Sequence, residues 1–491
     1  MENRVYQKKM QKRLLHRFPE FSPSGFAMGA TIAFAASFWL VEVPPALRLI
    51  YTALAVMQTA IHLAVRHYLV KTKTIPMWLR LVGYVQIATV LVGNLFIAIA
   101  GFSMIKKEKS IEYTLSTFSI LVYIGVFLVS AMNLFKQYVS ATFIPGMLLL
   151  IVMTLLQIVV TVLVSIPRKN GMPAWYWIVA VYQLLTGLLG NVFSLLVGLI
   201  LISRLRHKRS DISIEWIDVL KRLFRNYMSV LGLFVVTFLI CLSIFSNLTF
   251  DYDLAVSNNY KALLQPPSLE YPFGSDSFGR DVFTRIVFGA RISLIVGLIS
   301  TLVPIAIGGM LGSIAGYYGG KLDNIIMRIL DVIYAVPSIL LAIAIVAAFG
   351  ANTFNLIMAL SMGYIPIYAR TVRATVMGLT HMEYVEAAKA CGARDREIIF
   401  EHIIPNSLAP VIVRATIGIG GAVLSTSALS YLGLGVEPHI PEWGNILKIG
   451  SANLETAPFL AVFPGLAIIL IVLAFNYFGD GLRDALDPKL K

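Results

Sequence analysis

The stretch Thr380–Pro405 reads THMEYVEAAKACGARDREIIFEHIIP, and it decides how the rest of the chain is interpreted. It carries too many charges to cross a membrane, yet long apolar runs lie on both sides of it. Thr380 and Glu383 have the spacing of a capping box, which predicts that a helix begins there. Gly392 supplies a left-handed residue that can end this helix. The stretch is therefore predicted to contain a short helix between two membrane spans.

A second short helix is predicted after the glycine. Asp395 is expected to cap it, and Pro405 fits the first turn of the helix that follows. The first helix has a surface of small residues and a charged rim: Ala387, Ala388 and Ala390, with Glu386, Lys389, Arg394 and Arg396. The residues alone leave two interpretations open, an ordinary solvated loop and a helix–turn–helix that docks on another protein in the cytoplasm.

The composition is that of a membrane protein with many spans. Of the 491 residues, 58% are hydrophobic and 13% are charged, against roughly 45–50% and roughly 25% in soluble domains. A soluble globular chain and a disordered chain are both excluded. The net charge of +14 fits basic residues collected in cytoplasmic loops, so no nucleic-acid partner is required.

Uncharged runs predict an all-α fold with about twelve transmembrane helices, arranged as six plus six. The runs are Phe21–Val41, Leu49–Val65, Leu81–Ile105, Thr114–Phe135, Ala141–Pro167, Asn170–Ser203, Asn226–Phe250, Ile292–Gly320, Val332–Ala369, Ala415–Val436 and Ala457–Gly479. Val332–Ala369 is too long for one span, and its polar residues Gly350, Asn352 and Asn355 predict a break into two helices. The basic tail, the second loop and the segment between the halves fall on one side, which predicts cytoplasmic N- and C-termini.

No catalytic residues and no metal site are expected. A phosphate-binding loop needs Gly-x4-Gly-Lys-[Ser/Thr], but the nearest string ends in Lys321-Leu322 and has Ala315 in place of the first glycine. ATP hydrolysis by this chain is therefore not expected. No His, Cys and Asp residues have metal-ligand spacing, and Cys241 and Cys391 cannot form a disulfide framework.

The string Glu386-Ala387-Ala388-x3-Gly392, followed by Ile404-Pro405, resembles the "EAA" loop of permease subunits of binding-protein-dependent ABC importers. His402 stands where that family often has isoleucine, and the C-type permeases of oligopeptide, dipeptide and nickel importers tolerate histidine there. Further strings are similar to this C-type branch: Phe273–Asp281, Gly316–Asp323, Arg328-x2-Asp331, Pro337-Ser338, Tyr431–Gly435 and Gly479–Pro488. Residues 1–205 lie outside the resemblance.

The resemblance implies a type I ABC importer permease fold for the last six helices and a coupling role for residues 380–405, which we call the coupling loop. The residues that would contact a separate ATPase subunit are Glu383, Glu386, Ala387, Ala388, Gly392, Ala393, Arg394 and Pro405. The implied partners are two ATP-binding subunits that hold ATP and Mg²⁺, a second permease in a heterodimer, and an extracellular or periplasmic substrate-binding protein. This chain itself would bind no cofactor.

The resemblance also implies a location and an activity. The chain would be a multi-pass protein of the bacterial cytoplasmic membrane that moves di- or oligopeptides inward by alternating access. The same machinery importing nickel or metal chelates is an alternative. A secondary transporter is less favoured, because the two halves share no motif. A receptor or membrane anchor is a third possibility that only the first six spans would support.

The resulting domain organisation has four parts. Residues 1–24 are a cytoplasmic tail, 25–205 a six-helix membrane domain of unknown role, and 206–225 an amphipathic helix on the membrane surface. Residues 226–491 are the permease domain, with a core at about 288–480.

Two further groups of residues are candidates for function. Asp251–Arg291, which we call the outer segment, is expected outside the membrane, where it is either a docking surface for the binding protein or a plain surface loop. Its candidate docking residues are Asp276, Gly279, Arg280 and Asp281. Four charges near the membrane either line the transport path or lie at cytoplasmic helix ends: Arg328, Asp331, Arg370 and Arg373. Arg328 and Asp331 have the i, i+3 spacing of a pair.

Overall fold

The computed structural model of the chain describes residues 45–72, 75–89, 110–166, 172–206 and 212–487, with scattered residues between 24 and 35 and between 97 and 105. Most of the predicted tail, most of the first predicted span and part of the third lie outside the described residues. The end of the Gly479–Pro488 match lies outside them too.

The regular elements of the described residues are helices, so the predicted all-α class is confirmed. The first half contains α1 Pro45–Thr72, α2 Met77–Ala88, α3 Ile111–Ala131, α4 Phe143–Ser165, α5 Tyr176–Leu188 and α6 Val192–Arg206. The second half contains α7 Ile212–Leu223, α8 Tyr227–Thr249, α9 Asp253–Val256, α10 Val282–Tyr318, α11 Gly320–Tyr334, α12 Ser338–Phe349, α13 Thr353–Leu379, α14 Glu383–Ala390, α15 Asp395–Glu397, α16 Ile404–Leu432, α17 Trp443–Ser451 and α18 Phe459–Leu486. Met132–Phe135 and Tyr260–Ala262 are 3₁₀ turns, and Ile398–Ile403 is a π-helical turn.

Seven helical stretches of the described chain are long and apolar enough to cross a membrane. They are Arg48–Thr72, Ile111–Phe135, Phe143–Ser165, Tyr227–Thr249, Val282–Tyr318, Asp395–Leu432 and Phe459–Leu486. The pair α11 and α12 passes the same test together but is bent by 78°. The seven stretches and the bent pair agree with a polytopic chain of about twelve helices. Parts of the predicted spans lie outside the described residues.

The predicted break in Val332–Ala369 is present at Gly350, which has a φ of +93°. The Asn352 side chain then caps α13. The predicted start of this span is wrong, because Val332 belongs to the amphipathic α11 and the apolar α12 begins after Pro337. Proline has no N–H with which to continue α11, so the chain bends there, and an uncharged run does not reveal such a bend.

Two other predicted spans begin too late. The helix predicted from Ile292 starts at Val282, and the helix predicted from Ala415 starts at Ile404. Both predictions stopped at a basic residue. Arg291, where the first of them stopped, lies inside α10 with an exposed side chain that donates to the Asn247 amide oxygen of α8 at 3.1 Å. A long basic side chain can reach solvent or a neighbouring helix from within a helix, so it does not mark where the helix begins.

The chain divides into two compact units, Met1–Leu128 with Met153–Val179 and Val129–Val152 with Ala180–Lys491. In the first unit an apolar cluster contains Ile61, Val65 and Leu79. The second unit takes in residues 129–152 and 180–205, which are part of the predicted N-terminal membrane domain. The permease helices thus pack together with two pieces of chain that precede them in sequence.

The core of the second unit lies between the long helices. α10 packs along α13 and α16, and both α8 and α16 pack on α18. The fully buried Trp443 of α17 donates its indole N–H to the carbonyl of Ile286, at 2.9 Å. The amphipathic α7 ends at Leu223. Asn226 then caps α8, the next long helix.

Candidate functional site

The helix predicted in the coupling loop is present as α14, but Thr380 does not cap it. Thr380 has helical dihedral angles and ends α13, and its hydroxyl donates to the carbonyl of Met377 at 2.9 Å. Met382 occupies the extended position before α14. The capping-box prediction is therefore wrong, because a residue still held in the preceding helix cannot take the extended dihedral angles of an N-cap.

Gly392 ends α14 as predicted. Its φ is +85°, its N–H donates to the carbonyl of Lys389 at 3.0 Å, and the N–H of Ala393 donates to the carbonyl of Ala388 at 3.1 Å. This pair of bonds is the Schellman arrangement, in which the left-handed residue lets the chain satisfy the last carbonyls of the helix. The turn fixes the direction in which the chain leaves α14.

The second short helix, α15, also forms, with Arg394 rather than Asp395 at its N-cap position. The Glu397 carboxylate accepts the Arg394 N–H at 3.0 Å. A π-helical turn then joins α15 to α16, whose first turn contains Pro405 as predicted. The coupling loop is therefore two helices joined by a tight turn and continuous with the next long helix.

One side of the coupling loop is anchored by an apolar cluster. Val385 of α14 and Ile398 and Ile403 of the π-helical turn are buried against Val372 and Val376 of α13. The candidate contact residues divide accordingly. Ala388 and Ala393 are half-buried against this apolar cluster. The others are exposed: Glu383, Glu386, Ala387, Gly392, Arg394 and Pro405.

A hydrogen bond ties the loop to the end of α10. Tyr317 donates its hydroxyl to the Asp395 carboxylate at 2.7 Å. The Lys389 ammonium lies 5.1 Å from the centre of the Tyr317 ring, within the range of a cation–π contact. Sequence reasoning missed Tyr317, although it lies within the matched string Gly316–Asp323.

The charges near the membrane form pairs between α11 and α13. The Asp323 carboxylate accepts two hydrogen bonds from Arg373, both at 2.5 Å. Asp331 accepts one from Arg370 at 2.5 Å, and the same guanidinium lies 4.0 Å from the centre of the Tyr334 ring. These contacts fasten the two helices to each other.

The predicted pairing of Arg328 with Asp331 is wrong. Asp331 pairs with Arg370 instead, and the Arg328 side chain is exposed. A planar guanidinium on the neighbouring helix can stack and hydrogen-bond at once, which the i, i+3 neighbour does not do here. Asp323, the partner of Arg373, was absent from the sequence candidates, and its only sequence signal was the end of a matched string.

The outer segment is folded around buried charges. Asp276 accepts hydrogen bonds from the backbone N–H groups of Phe278 and Arg280, at 2.9 and 3.0 Å, and from the Arg280 side chain at 2.8 Å. Arg285 lies 3.8 Å from the same carboxylate. Asp276 thus closes a turn inside the segment.

Two other docking candidates also serve the internal structure. Gly279 has a φ of +74°, and a Cβ there would lie 1.8 Å from the carbonyl oxygen of Asn259. Asp281 caps α10 by accepting the Thr284 N–H at 3.0 Å. Asp276, Arg280 and Asp281 are buried, and their side chains make hydrogen bonds within the chain. A docking surface on this segment stays a prediction. The segment also has exposed apolar residues: Tyr260, Leu263, Leu269 and Phe278.

A cavity of about 180 Å³ lies beside the outer segment and is lined in part by residues 136–138. Desolvation raises the pKa of Tyr138, and the Asp251 and Asp253 carboxylates add to the shift. The pKa of Tyr271 is likewise raised, by desolvation first and then by carboxylates including Glu270. The lining of the cavity combines three carboxylates, Lys136 and two tyrosines with uncharged polar residues.

A buried carboxylate that sequence reasoning missed lies between α16 and α17. Glu442 is fully buried and caps α17 by accepting the N–H groups of Gly444 and Asn445, at 2.8 and 3.1 Å. It also accepts the hydroxyls of Ser427 and Ser293, at 2.9 and 3.3 Å. Four donors hold this carboxylate in place and fix α17 against α10 and α16.

The arrangement is that of a membrane protein whose long helices are joined to a loop that is anchored on one side and exposed on the other. Comparison with known families agrees. The family described as "Binding-protein-dependent transport system inner membrane component" matches residues 308–491, and the "N-terminal TM domain of oligopeptide transport permease C" matches residues 215–267. The chain belongs to the permease family of binding-protein-dependent ABC importers. The secondary-transporter alternative is thereby displaced.

Several curated relatives are similar over the second half. The dipeptide transport system permease protein DppC of Alkalihalophilus pseudofirmus is 48% identical over 276 residues, which cover 56% of this chain and 90% of the relative. The glutathione transport system permease protein GsiD of Pectobacterium atrosepticum is 44% identical over 276 residues, with 56% and 92% covered. GsiD of an Escherichia coli strain is 44% identical over 284 residues, with 58% and 94% covered.

Among solved structures, the inward-facing MetNI methionine ABC transporter is similar at a TM-score of 0.34 and 18% identity. The match covers 41% of this chain and 96% of that one. A likeness this low supports no argument about the fold.

Proposed function

We propose that the chain is the permease subunit of an ATP-driven peptide importer and that its coupling loop docks on a separate ATPase. The coupling loop is the observation that carries this proposal. It is anchored to α13 by buried apolar residues and to α10 by Tyr317, and its opposite face is exposed. A rigid docking element can pass differential contacts in two nucleotide states on to the membrane helices, whereas a loose loop cannot.

The proposed complex contains this chain, a second permease, two ATP-binding subunits and a substrate-binding protein. ATP and Mg²⁺ bind to the ATPase subunits, and this chain binds no cofactor. Both termini and the coupling loop face the cytoplasm of a bacterial cell, and the outer segment faces the opposite side.

Peptides are the proposed substrates, most directly dipeptides or the tripeptide glutathione, because the relatives at 44–48% identity are named for these substrates. Nickel and metal chelates are not favoured, since neither relative is named for them.

The test uses the complex in proteoliposomes and a variant of the exposed small residue Ala387 on α14. Ala387→Arg places a long charged side chain on the face of α14 that is expected to enter the ATPase groove. It should abolish co-purification of the ATPase subunits and uptake of a labelled dipeptide.

The matched control is Ala351→Arg, at an exposed turn between α12 and α13, which should leave both intact. Normal ATPase retention by Ala387→Arg would disprove the docking proposal. Uptake driven by a proton or sodium gradient through the chain alone would disprove the importer.

A further inference from the structure

A segment of chain that precedes both family matches contributes a buried cation to the outer segment. Lys136 follows the 3₁₀ turn Met132–Phe135, and its ammonium donates to the Asp281 carboxylate and, at 2.9 Å, to the Thr284 hydroxyl. The Lys136 side chain is 5% exposed and that of Asp281 is 0% exposed. A buried carboxylate needs such a partner, because its charge is poorly solvated inside the protein.

Other residues near Lys136, between positions 130 and 142, cap the end of α8. Asn133 donates to the carbonyl of Thr249 at 2.9 Å, and Thr142 donates to that of Leu248 at 3.0 Å. The last carbonyls of a helix have no partner within the helix, so these side chains supply the missing donors. Ser130 adds a bond to the Thr249 hydroxyl at 2.9 Å.

Asp281 is the N-cap of α10, and α10 reaches the coupling loop. The helix spans 37 residues from Val282 to Tyr318, a length of about 55 Å at 1.5 Å per residue. Its first turn is held by Lys136 through Asp281, and near its last residue Tyr317 donates to Asp395. One continuous helix therefore connects the residue paired with Lys136 to the loop proposed to meet the ATPase.

We propose that Lys136 is a positioning residue of the import cycle, which acts through Asp281 to hold the first turn of α10 and the outer segment where the binding protein engages them. Residues 129–152 are thus a working part of the permease, although the family matches begin only at residue 215. The inference rests on the proposed import function. Among the described ion pairs, Lys136 supplies the cation for Asp281, while Asp276 pairs with Arg280 and Arg285.

The experiment measures uptake of labelled dialanine by the complete complex in proteoliposomes as the binding-protein concentration is varied. Lys136→Met should raise the binding-protein concentration for half-maximal uptake by about tenfold, with ATP hydrolysis in the absence of binding protein little changed. Lys136→Arg keeps a cation and should restore most of the apparent affinity. The matched control is Lys321→Met, because Lys321 is an exposed lysine of α11, at the opposite end of α10 from the outer segment.

A double-mutant cycle separates positioning from loss of folding. Asp281→Asn in the Lys136→Met background should change the half-maximal concentration little further, because the charge interaction is already lost. Equal half-maximal concentrations for Lys136→Met and Lys321→Met would overturn the role of Lys136. The role would also be overturned if uptake by Lys136→Met fell only in proportion to the amount of folded complex. If uptake by the wild-type complex did not depend on the binding protein, that result would instead overturn the proposed function itself.

Discussion

Tyr317 near the end of α10 donates a hydrogen bond of 2.7 Å to Asp395 in the coupling loop, across 78 positions of sequence. Because α10 begins at the outer segment, this bond joins the two ends of the permease through a single helix. It is the contact at which a movement of the loop would reach α10 most directly.

Tyr317→Phe should weaken the coupling between ATP hydrolysis and uptake. Loss of the hydroxyl removes one hydrogen bond to a carboxylate, at roughly 1 kcal/mol, which shifts the equilibrium between a held and a released loop about fivefold. The measurement is the number of dipeptides imported per ATP hydrolysed. Tyr431→Phe, at an exposed position beyond the loop, serves as control, and an unchanged ratio in Tyr317→Phe would contradict the prediction.

Gly392→Ala should strain the turn after α14. Alanine at a φ of +85° costs about 1 kcal/mol or more, although a Cβ there meets no atom within 4 Å. ATP hydrolysis should persist while uptake falls. Gly378→Ala is the matched control, because Gly378 also has free space around it but lies within α13. Equal uptake by the two variants would show that the left-handed turn is dispensable.

Arg373→Lys should loosen α11 from α13. Lysine keeps the charge but cannot reproduce the two parallel bonds to Asp323, and the pair is partly exposed, so a loss of about 1 kcal/mol in the free energy of unfolding is expected. Thermal unfolding in detergent measures it. Arg328→Lys, an exposed arginine of α11, should leave the midpoint unchanged, and a similar midpoint for both variants would refute the role of the pair.

Glu442→Gln should destabilise the packing of α17. An amide offers one acceptor oxygen where the carboxylate offers two, so buried donors lose a partner at about 1–3 kcal/mol. The midpoint of thermal unfolding should fall, and Glu455→Gln at an exposed position should not lower it. A wild-type midpoint in Glu442→Gln would mean that the four donors find other acceptors.

Local patterns in the sequence were sufficient for several features. The left-handed Gly392, the break at Gly350 and the proline in the first turn of α16 follow from the dihedral angles that these residues favour. Membership of the permease family follows from the coupling loop and the ordered matches around it. Such features depend on a few neighbouring residues, and a sequence displays them directly.

Other features depend on residues that are distant in sequence. Lys136 and Asp281 are 145 positions apart, and neither has a local signal for the other. Asp331 has a cation three positions away but pairs with one 39 positions away. Thr380 has the spacing of a cap but is still held by the helix before it. In each case the tertiary packing determines which groups bond to each other, and the spacing of residues in the sequence does not show it.

Residues 129–152 cap the end of α8 and pair with the N-cap residue of α10, which bears on how small this permease can be made. A chain shortened to begin near residue 215, where the family resemblance starts, would keep every recognisable motif. It would nevertheless leave the Asp281 carboxylate without its ammonium and two carbonyls at the end of α8 without their side-chain donors. We therefore expect the smallest functional unit of this protein to be longer than the part of the chain that matches its family.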